Sequence, residues 1–383
     1  MKILCLFWSN PSMYPFLREK ISYFKKKNIK TTFISREGNS VHIGHRQDNK
    51  DNYHGNFLKK NCKSFIIPGS RNFLIDKVYF FYFILFSSLN CFINKPDKIF
   101  IYHRTTLLII YLIKFFSKGE IVYQNFDYNP GIKNNSLFAR FVNWSEVFLS
   151  KYINLFIFSH PKRGQIFSKN SKVDKSKIIY VFNSLKIQSA VKKNKIKKDL
   201  IWTGSIGPGH SLINIIKSFI YLNKEIKLRI FGKIEDYSYF NKIEKLIKEL
   251  NLEKRIKIKN FVPEHKIKKA LEESYAAIAL YEPIITSHKY MAGASAKINA
   301  YIANSLPIIV SNNNDFLNFS KKFKASMPVN IRNPKSIAYG IKQITNNKKK
   351  YTQLQLNAYK AHINEFNFEK QFTKINDRLK ILK

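Results

Sequence analysis

A chain of 383 residues with 45% hydrophobic content, 33 Phe and 21 Tyr carries enough apolar material for two buried cores, which excludes a disordered chain. Its 67 Lys and Arg against 25 Asp and Glu leave a formal charge of +42, so what it meets is acidic: nucleic acid, anionic lipid or a phosphate-bearing substrate. Three scattered cysteines, Cys5, Cys62 and Cys91, exclude a disulfide framework and a cysteine metal site, and fit a reducing compartment.

The opening residues, MKILCLFW, predict a strand over 2–7 rather than a leader peptide, because the apolar run is short and no small-residue cleavage site follows. A turn from Trp8 to Pro11 closes it; the spacing then predicts a helix over 15–27 and a strand over 30–34. Residues 36–61 are polar, without apolar periodicity, and read as a mobile loop. A short strand at 64–67 precedes an aromatic helix at 73–93. Its apolar run, 78–93, is broken by Ser87, Ser88 and Asn90 and is shorter than the ~20 residues a membrane-spanning helix needs, so it reads as buried or interfacial. A strand at 98–102 ends at His103 and Arg104, and an apolar helix runs on to Phe116. The strand at 120–123 ends in a turn through Asn125, Asp127 and Gly131. A helix over 137–151, a strand over 155–159, another helix and a strand over 178–182 complete the first half.

This alternation predicts an α/β fold with a doubly wound parallel sheet. Ligands in such sheets sit beyond the carboxyl ends of the strands, which singles out Asn10, His103, Arg104, Asn125, Asp127 and Ser159. Residues 185–198 lose the aromatic content and the period and gain Lys186, Lys192, Lys193, Lys195, Lys197 and Lys198; they read as an interdomain linker.

The alternation then restarts. A strand at 199–203 leads into Gly204, Ser205, Ile206, Gly207, Pro208, Gly209 and His210, followed by a helix over 212–222. Three glycines between a strand and a helix suit a backbone phosphate cradle, although the spacing is neither the dinucleotide fingerprint nor the P-loop and also fits an ordinary turn. A strand at 226–231 ends at Gly232 and Lys233; a helix over 236–250, a strand over 256–261 and a helix over 264–274 follow.

Residues 276–311 read as a βαβ unit, with apolar strands at 276–281 and 306–310 and a helix opening at Gly293-Ala294-Ser295. Small residues there let backbone N–H groups approach an anion, which the positive end of the helix dipole favours. Ser295 is placed as the N-cap. Lys297, in the first turn, opposes the dipole unless it meets a bound anion. Two helices, over 333–345 and 349–382, finish the chain.

Taken together, several of these pieces resemble the GT-B glycosyltransferases, and glycosyltransferase family 4 (glycosyl transferases group 1) in particular. The Ile201-Trp202-Thr203-Gly204-Ser205 and Leu228-Arg229-Ile230-Phe231-Gly232 segments are similar to that family's nucleotide-binding strands. So are Ile258-Lys259-Asn260-Phe261-Val262 with the helix after it, the run from Ser295 to Ile309, and Phe366-Asn367-Phe368-Glu369 near the end. The resemblance implies two Rossmann-like domains with parallel sheets facing across a cleft. Residues 1–184 would bind the acceptor, 199–365 the nucleotide sugar, and 366–383 would cross back to the first domain.

The resemblance further implies an enzyme that moves a hexosyl or other sugar from a UDP- or GDP-linked donor, with retention and without a metal; the donor is a substrate, and no cofactor is expected. Donor contacts fall on Gly204, Ser205, Gly207, His210, Lys233, Glu282, Ser295, Ala296 and Lys297. His210, Lys233 and Lys297 are the available counter-charges for the diphosphate. The family's ribose-binding Glu is replaced by Ala300, its Gly by Ser305 and its Pro by Ala296; Glu282 is the available substitute for the ribose contact. Asp127 and His103 are the candidates for orienting or deprotonating the acceptor hydroxyl, unless Asp127 only closes its turn and His103 only ends its strand. The basic surface and the two apolar helices point to an anionic membrane, where each Lys adds ~1 kcal/mol. A lipid-linked acceptor or a polysaccharide or lipopolysaccharide of the cell envelope fits that setting, with the enzyme cytoplasmic and peripheral on the inner face. No nucleic-acid-binding module is recognisable. The missing Glu leaves a non-catalytic GT-B subunit as the alternative.

Overall fold

The alternation of apolar runs folds into two parallel sheets, of seven and six strands, in a computed structural model. The structure describes residues 1–11, 14–37, 53–70, 72–128, 136–188, 198–260, 262 and 264–382. Gly131, linker residues Lys192, Lys193, Lys195 and Lys197, Phe261 and much of the predicted 36–61 loop lie outside the described residues.

The first sheet comprises β1 (Lys2–Phe7), β2 (Lys30–Arg36), β3 (Lys63–Ile67), β4 (Lys98–Tyr102), β5 (Glu120–Asn125), β6 (Leu155–Phe158) and β7 (Ile178–Tyr180), in the order β3-β2-β1-β4-β5-β6-β7. The second comprises β8 (Asp199–Ile206), β9 (Lys227–Ile234), β10 (Ile256–Asn260), β11 (Ala276–Ala279), β12 (Ile308–Ser311) and β13 (Ser326–Val329), in the order β10-β9-β8-β11-β12-β13. β6, β11 and β12 are buried along their whole length, as their unbroken LFIF, AAIA and IIVS runs require of strands covered on both faces.

The chain forms two compact units, Met1–Asn183 with Gln371–Lys383, and Ser184–Lys370. Each has its own core. Leu6, Ile99, Ile101, Phe156 and Phe158 anchor the first, and Trp202, Leu228, Ile230, Ile278 and Ile309 the second. Phe372 packs on Tyr23 and Phe24 of the first unit, at ring separations of 4.9 and 5.9 Å. The described start of the linker is hydrogen-bonded within the second unit: the Gln188 N–H donates to His362 Nε2 at 3.0 Å, and the Phe368 N–H to the Leu185 carbonyl at 2.7 Å.

Five elements differ from expectation. The helix Tyr53–Asn61 occupies the end of the predicted loop; its single apolar face is too short to show a period. β8 runs three residues past Thr203, because Gly204, Ser205 and Ile206 pair with Gly232, Lys233 and Ile234 of β9. The helix Asn314–Phe323 and β13, the latter interrupted by Pro328, follow β12 without a distinct sequence signal. The single terminal helix is two, Lys348–Asn364 and Phe368–Leu379. Asn367 breaks it by donating from Nδ2 to the carbonyls of His362 and Ile363, while its Oδ1 accepts the Lys370 N–H at 2.8 Å.

Candidate functional site

In the second unit the order of strands reverses between β8 and β11, the place where open parallel sheets bind ligands. Gly204 lies there with φ 146°, opposite Gly232 of β9. A Cβ on Gly232 would stand 2.0 Å from the Gly204 carbonyl oxygen, so no side chain fits between the two backbones. Ser205 and Lys233 form the next pair in the register. Gly207 and the turn Pro208–His210 follow, and a Cβ on Gly209 would meet the His288 ring at 2.5 Å.

The β11 side supplies the helix Ala296–Ala303, which Ser295 caps as predicted: its Oγ accepts the Ile298 N–H at 3.4 Å and bonds the Tyr281 hydroxyl at 2.7 Å. Ala296 and Lys297 fill the first turn, where N–H groups lack intrahelical partners. Tyr301 of the same helix reaches the N–H and Oγ1 of Thr203 at 2.8 and 3.0 Å, which ties the helix to β8. The Gly204 strand end and the Ser295 helix start are thus neighbours.

Between them lies Lys297. Its Nζ sits 4.5 Å from the centre of the Tyr281 ring, 4.7 Å from Trp202 and 3.2 Å from where a Cβ on Gly204 would be. The nitrogen is buried and has no hydrogen-bond partner among the described residues. Burial pulls its pKa down to about 7. The buried Trp202 Nε1 also lacks a partner among the described residues. A buried ammonium without an anion is costly, so an anion entering here would relieve a standing penalty.

His210, also expected as a counter-charge, lies close by. Burial, with Lys297 and His288 nearby, lowers its pKa to about 2, which disfavours the charged imidazole, and its ring packs edge-on against Trp202 and Tyr281. Glu282, just beyond β11, accepts a hydrogen bond from the Ser211 hydroxyl, and its N–H donates to the Gly209 carbonyl at 3.0 Å. It is therefore fixed to the glycine turn. Ala300, where the family has Glu, is half-buried on the helix.

In the first unit the order reverses between β1 and β4. His103, directly after β4, has φ 67°, a strained conformation for a histidine, and its N–H donates to the Gln124 carbonyl at 3.2 Å. Burial and the Arg104 charge lower its pKa to about 4, with Asp127 pulling the other way. Asn125 Oδ1 accepts the Asp127 N–H at 3.0 Å, so Asn125 rather than Asp127 closes the turn with its side chain. The Asp127 carboxylate is 57% exposed and stands 3.6 Å from the buried Arg163 guanidinium. Arg163 is itself held by the Phe126 carbonyl and Ser159 Oγ, at 2.6 and 3.1 Å. His103 and Asp127 are thereby brought into electrostatic reach of one another. Tyr14, stacked on Phe126 at 4.5 Å, has its pKa raised by burial and by Asp127.

Sequence reasoning missed Trp202, Tyr281, Ser211 and His288 around Lys297, and Arg163 beside Asp127. Trp202 and Tyr281 read as strand core, and only the repeat of a strand ending in Gly (Gly204, Gly232) hinted that two backbones meet there.

Residues 183–361 match the family model for glycosyl transferases group 1. Among solved structures, HepE from Anabaena in complex with UDP superposes with a TM-score of 0.75 at 13% identity, covering 100% of both chains. A glycosyltransferase from Rickettsia africae gives 0.72 at 14% identity over 100% of this chain and 98% of that one. Sucrose-phosphate synthase from Thermosynechococcus elongatus gives 0.73 at 12% identity over 98% of each. No curated protein matches the sequence. The chain has the GT-B fold, and its residues 183–361 are similar to the glycosyl transferases group 1 family.

Proposed function

We propose that this protein is a glycosyltransferase that moves a sugar from a nucleoside-diphosphate sugar to a hydroxyl of a glycan or lipid-linked acceptor. The observation that carries the reading is the buried Lys297 ammonium, without a hydrogen-bond partner among the described residues, between the Ser295-capped helix and Gly204. Departure of a nucleoside diphosphate leaves negative charge on a phosphate oxygen. First-turn N–H groups and a buried cation stabilise that charge without rearranging. Lys297 takes the cation role, the helix start at Ser295 and Ala296 supplies N–H donors, and Gly204, Ser205, Gly207 and Lys233 border the phosphates; no metal is invoked. The related HepE structures contain UDP and UDP-glucose, which favours a uridine donor here. Glu282, positioned by Ser211, takes the ribose hydroxyls in place of the carboxylate absent at Ala300. In the first unit, Asp127 accepts the acceptor's proton, with Arg163 and neutral His103 orienting it. The product belongs to a cell-envelope polysaccharide or lipopolysaccharide made at the inner face of the membrane, and the sugar keeps its anomeric configuration.

The test is a thermal-shift screen of nucleotides and nucleotide sugars. UDP or GDP at about 100 times its Kd should stabilise the chain by ~2.7 kcal/mol. No shift from either, together with no hydrolysis of any nucleotide sugar, would sink the reading. Ala300 gives a second reading its footing: a subunit that binds the nucleotide without turnover. Binding without transfer, unchanged in Ala300→Glu, would favour it.

A further inference from the structure

The helix Phe73–Asn94 carries apolar side chains on both its sides. Phe83, Ser87, Ser88, Asn90 and Cys91 are buried in the first unit, with Tyr79, Phe80, Ile84 and Phe86 partly buried against the same core. Outward go Phe73, Val78, Phe81, Leu89 and Ile93, with Phe81 64% exposed while Ser87 is fully buried. An amphipathic helix on a globular protein does the reverse. The helix Leu137–Leu149 likewise exposes aromatic side chains: Val142, Ser145, Glu146 and Leu149 are buried, whereas Phe141, Trp144 and Phe148 face out.

Ring contacts link these exposed side chains to one another and to half-buried neighbours: half-buried Phe80 meets exposed Phe138 at 6.3 Å, exposed Phe92 and Phe116 meet at 5.5 Å, and half-buried Tyr111 stands 6.3 and 6.2 Å from exposed Phe141 and Phe148. Exposed large apolar side chains such as Ile284, Leu317 and Leu356 lie apart in the second unit, on a loop and two different helices. Lysines border the described part of the face. Lys77, Lys114 and Lys151 lie over Phe73, Phe115 and Phe148 at 4.2, 4.8 and 4.5 Å. The acids of these helices are withdrawn, Asp76 into a pair with Arg36 and Glu146 into the core.

We propose that this face is a monotopic membrane anchor, inserted to the depth of the headgroup–acyl boundary of an anionic bilayer with its lysines on the phosphates. Aromatic and aliphatic side chains fill the boundary while cations remain at headgroup level, the arrangement of an interfacial helix. A second copy fits less well: a two-fold contact would set this patch, lysines included, against itself with no acids to answer them. Crossing the bilayer fits less well too, since Phe83 and Cys91 belong to the first unit's core and would have to leave it. The inference deepens the proposed function and takes from it only that the acceptor is held at a bilayer.

The protein carries its own probe, because Trp144 is 55% exposed while Trp8 and Trp202, the other two tryptophans, are buried. With vesicles of phosphatidylethanolamine and phosphatidylglycerol (3:1), the full chain should co-sediment, and its emission should shift to the blue and be quenched by lipids brominated near the headgroup. Trp144→Phe should abolish the emission change but not sedimentation. The pair Phe81→Ser and Phe141→Ser should weaken vesicle binding roughly tenfold or more, with the UDP thermal shift unchanged; that shift reports on the donor site separately. The anchor is overturned if the chain stays in solution with its emission unmoved. It is also overturned if salt alone releases the protein and the double variant binds as before. A discrete homodimer that the double variant dissociates, or retention through alkaline carbonate extraction, would overturn it in favour of a second copy or a span.

Discussion

An ammonium held between Trp202 and Tyr281 with no hydrogen-bond partner among the described residues is a liability to the fold, and the liability indicates a use. The Lys297 proton is lost near pH 7 in the folded chain and near 10.5, the ordinary lysine value, in the unfolded one. Between those limits the unfolded chain holds the extra proton, so this residue's contribution makes the fold more stable as pH rises from 7 toward 10.5. Lys297→Met should remove the penalty and raise the melting temperature at pH 7 by about 2–4 °C, the equivalent of ~1 kcal/mol. The same variant should lose the UDP response, a gain in stability with a loss of function. Because diphosphate binds the protonated amine, the wild-type Kd for UDP should weaken roughly tenfold per pH unit above 7, a slope absent from the Met variant. Titration calorimetry at pH 7 and 8.5 reads both. Lys20, buried in the first unit with its pKa also lowered to about 7, contributes to the stability slope but not to the nucleotide slope.

At the scale of elements, the eight-residue helix Ala296–Ala303 is too short to stand alone and depends on its ends. Ser295 caps it and holds the Tyr281 hydroxyl; Tyr301 ties it to Thr203. Ser295→Ala should cost about 1–2 kcal/mol in urea unfolding and loosen the Tyr281 wall of the lysine site, weakening UDP binding. A Ser295→Thr variant, which keeps the hydroxyl cap, should retain most of both. An equal loss in the Thr variant would mean that the hydroxyl is not what matters there.

At the scale of the molecule, two separate cores predict two melting transitions by calorimetry. UDP should move only the one belonging to Ser184–Lys370, where the lysine site lies. Deleting the chain from Gln371 onward should lower only the other, because Phe372 packs on Tyr23 and Phe24 of the first unit. One transition that moves as a whole in both experiments would show the units to be thermodynamically coupled.

The sequence by itself determined the alternation of strand and helix, since apolar runs such as LFIF and IIVS admit little but buried parallel strands. It also marked the Gly204 strand end and the Ser295 cap, because small residues and a hydroxyl before an apolar periodic stretch are local signals. Tertiary structure alone decided what depends on neighbours distant in the chain. Only there do Trp202 and Tyr281 close around Lys297, does burial disfavour a charged His210, and does Arg163 come to face Asp127. The exposed apolar side of the helix Phe73–Asn94 belongs to the same class, because a helix with apolar residues all round does not disclose which side meets the sheet. Propensity and patterning are set by adjacent residues, whereas protonation, exposure and pairing are set by whatever the fold places alongside.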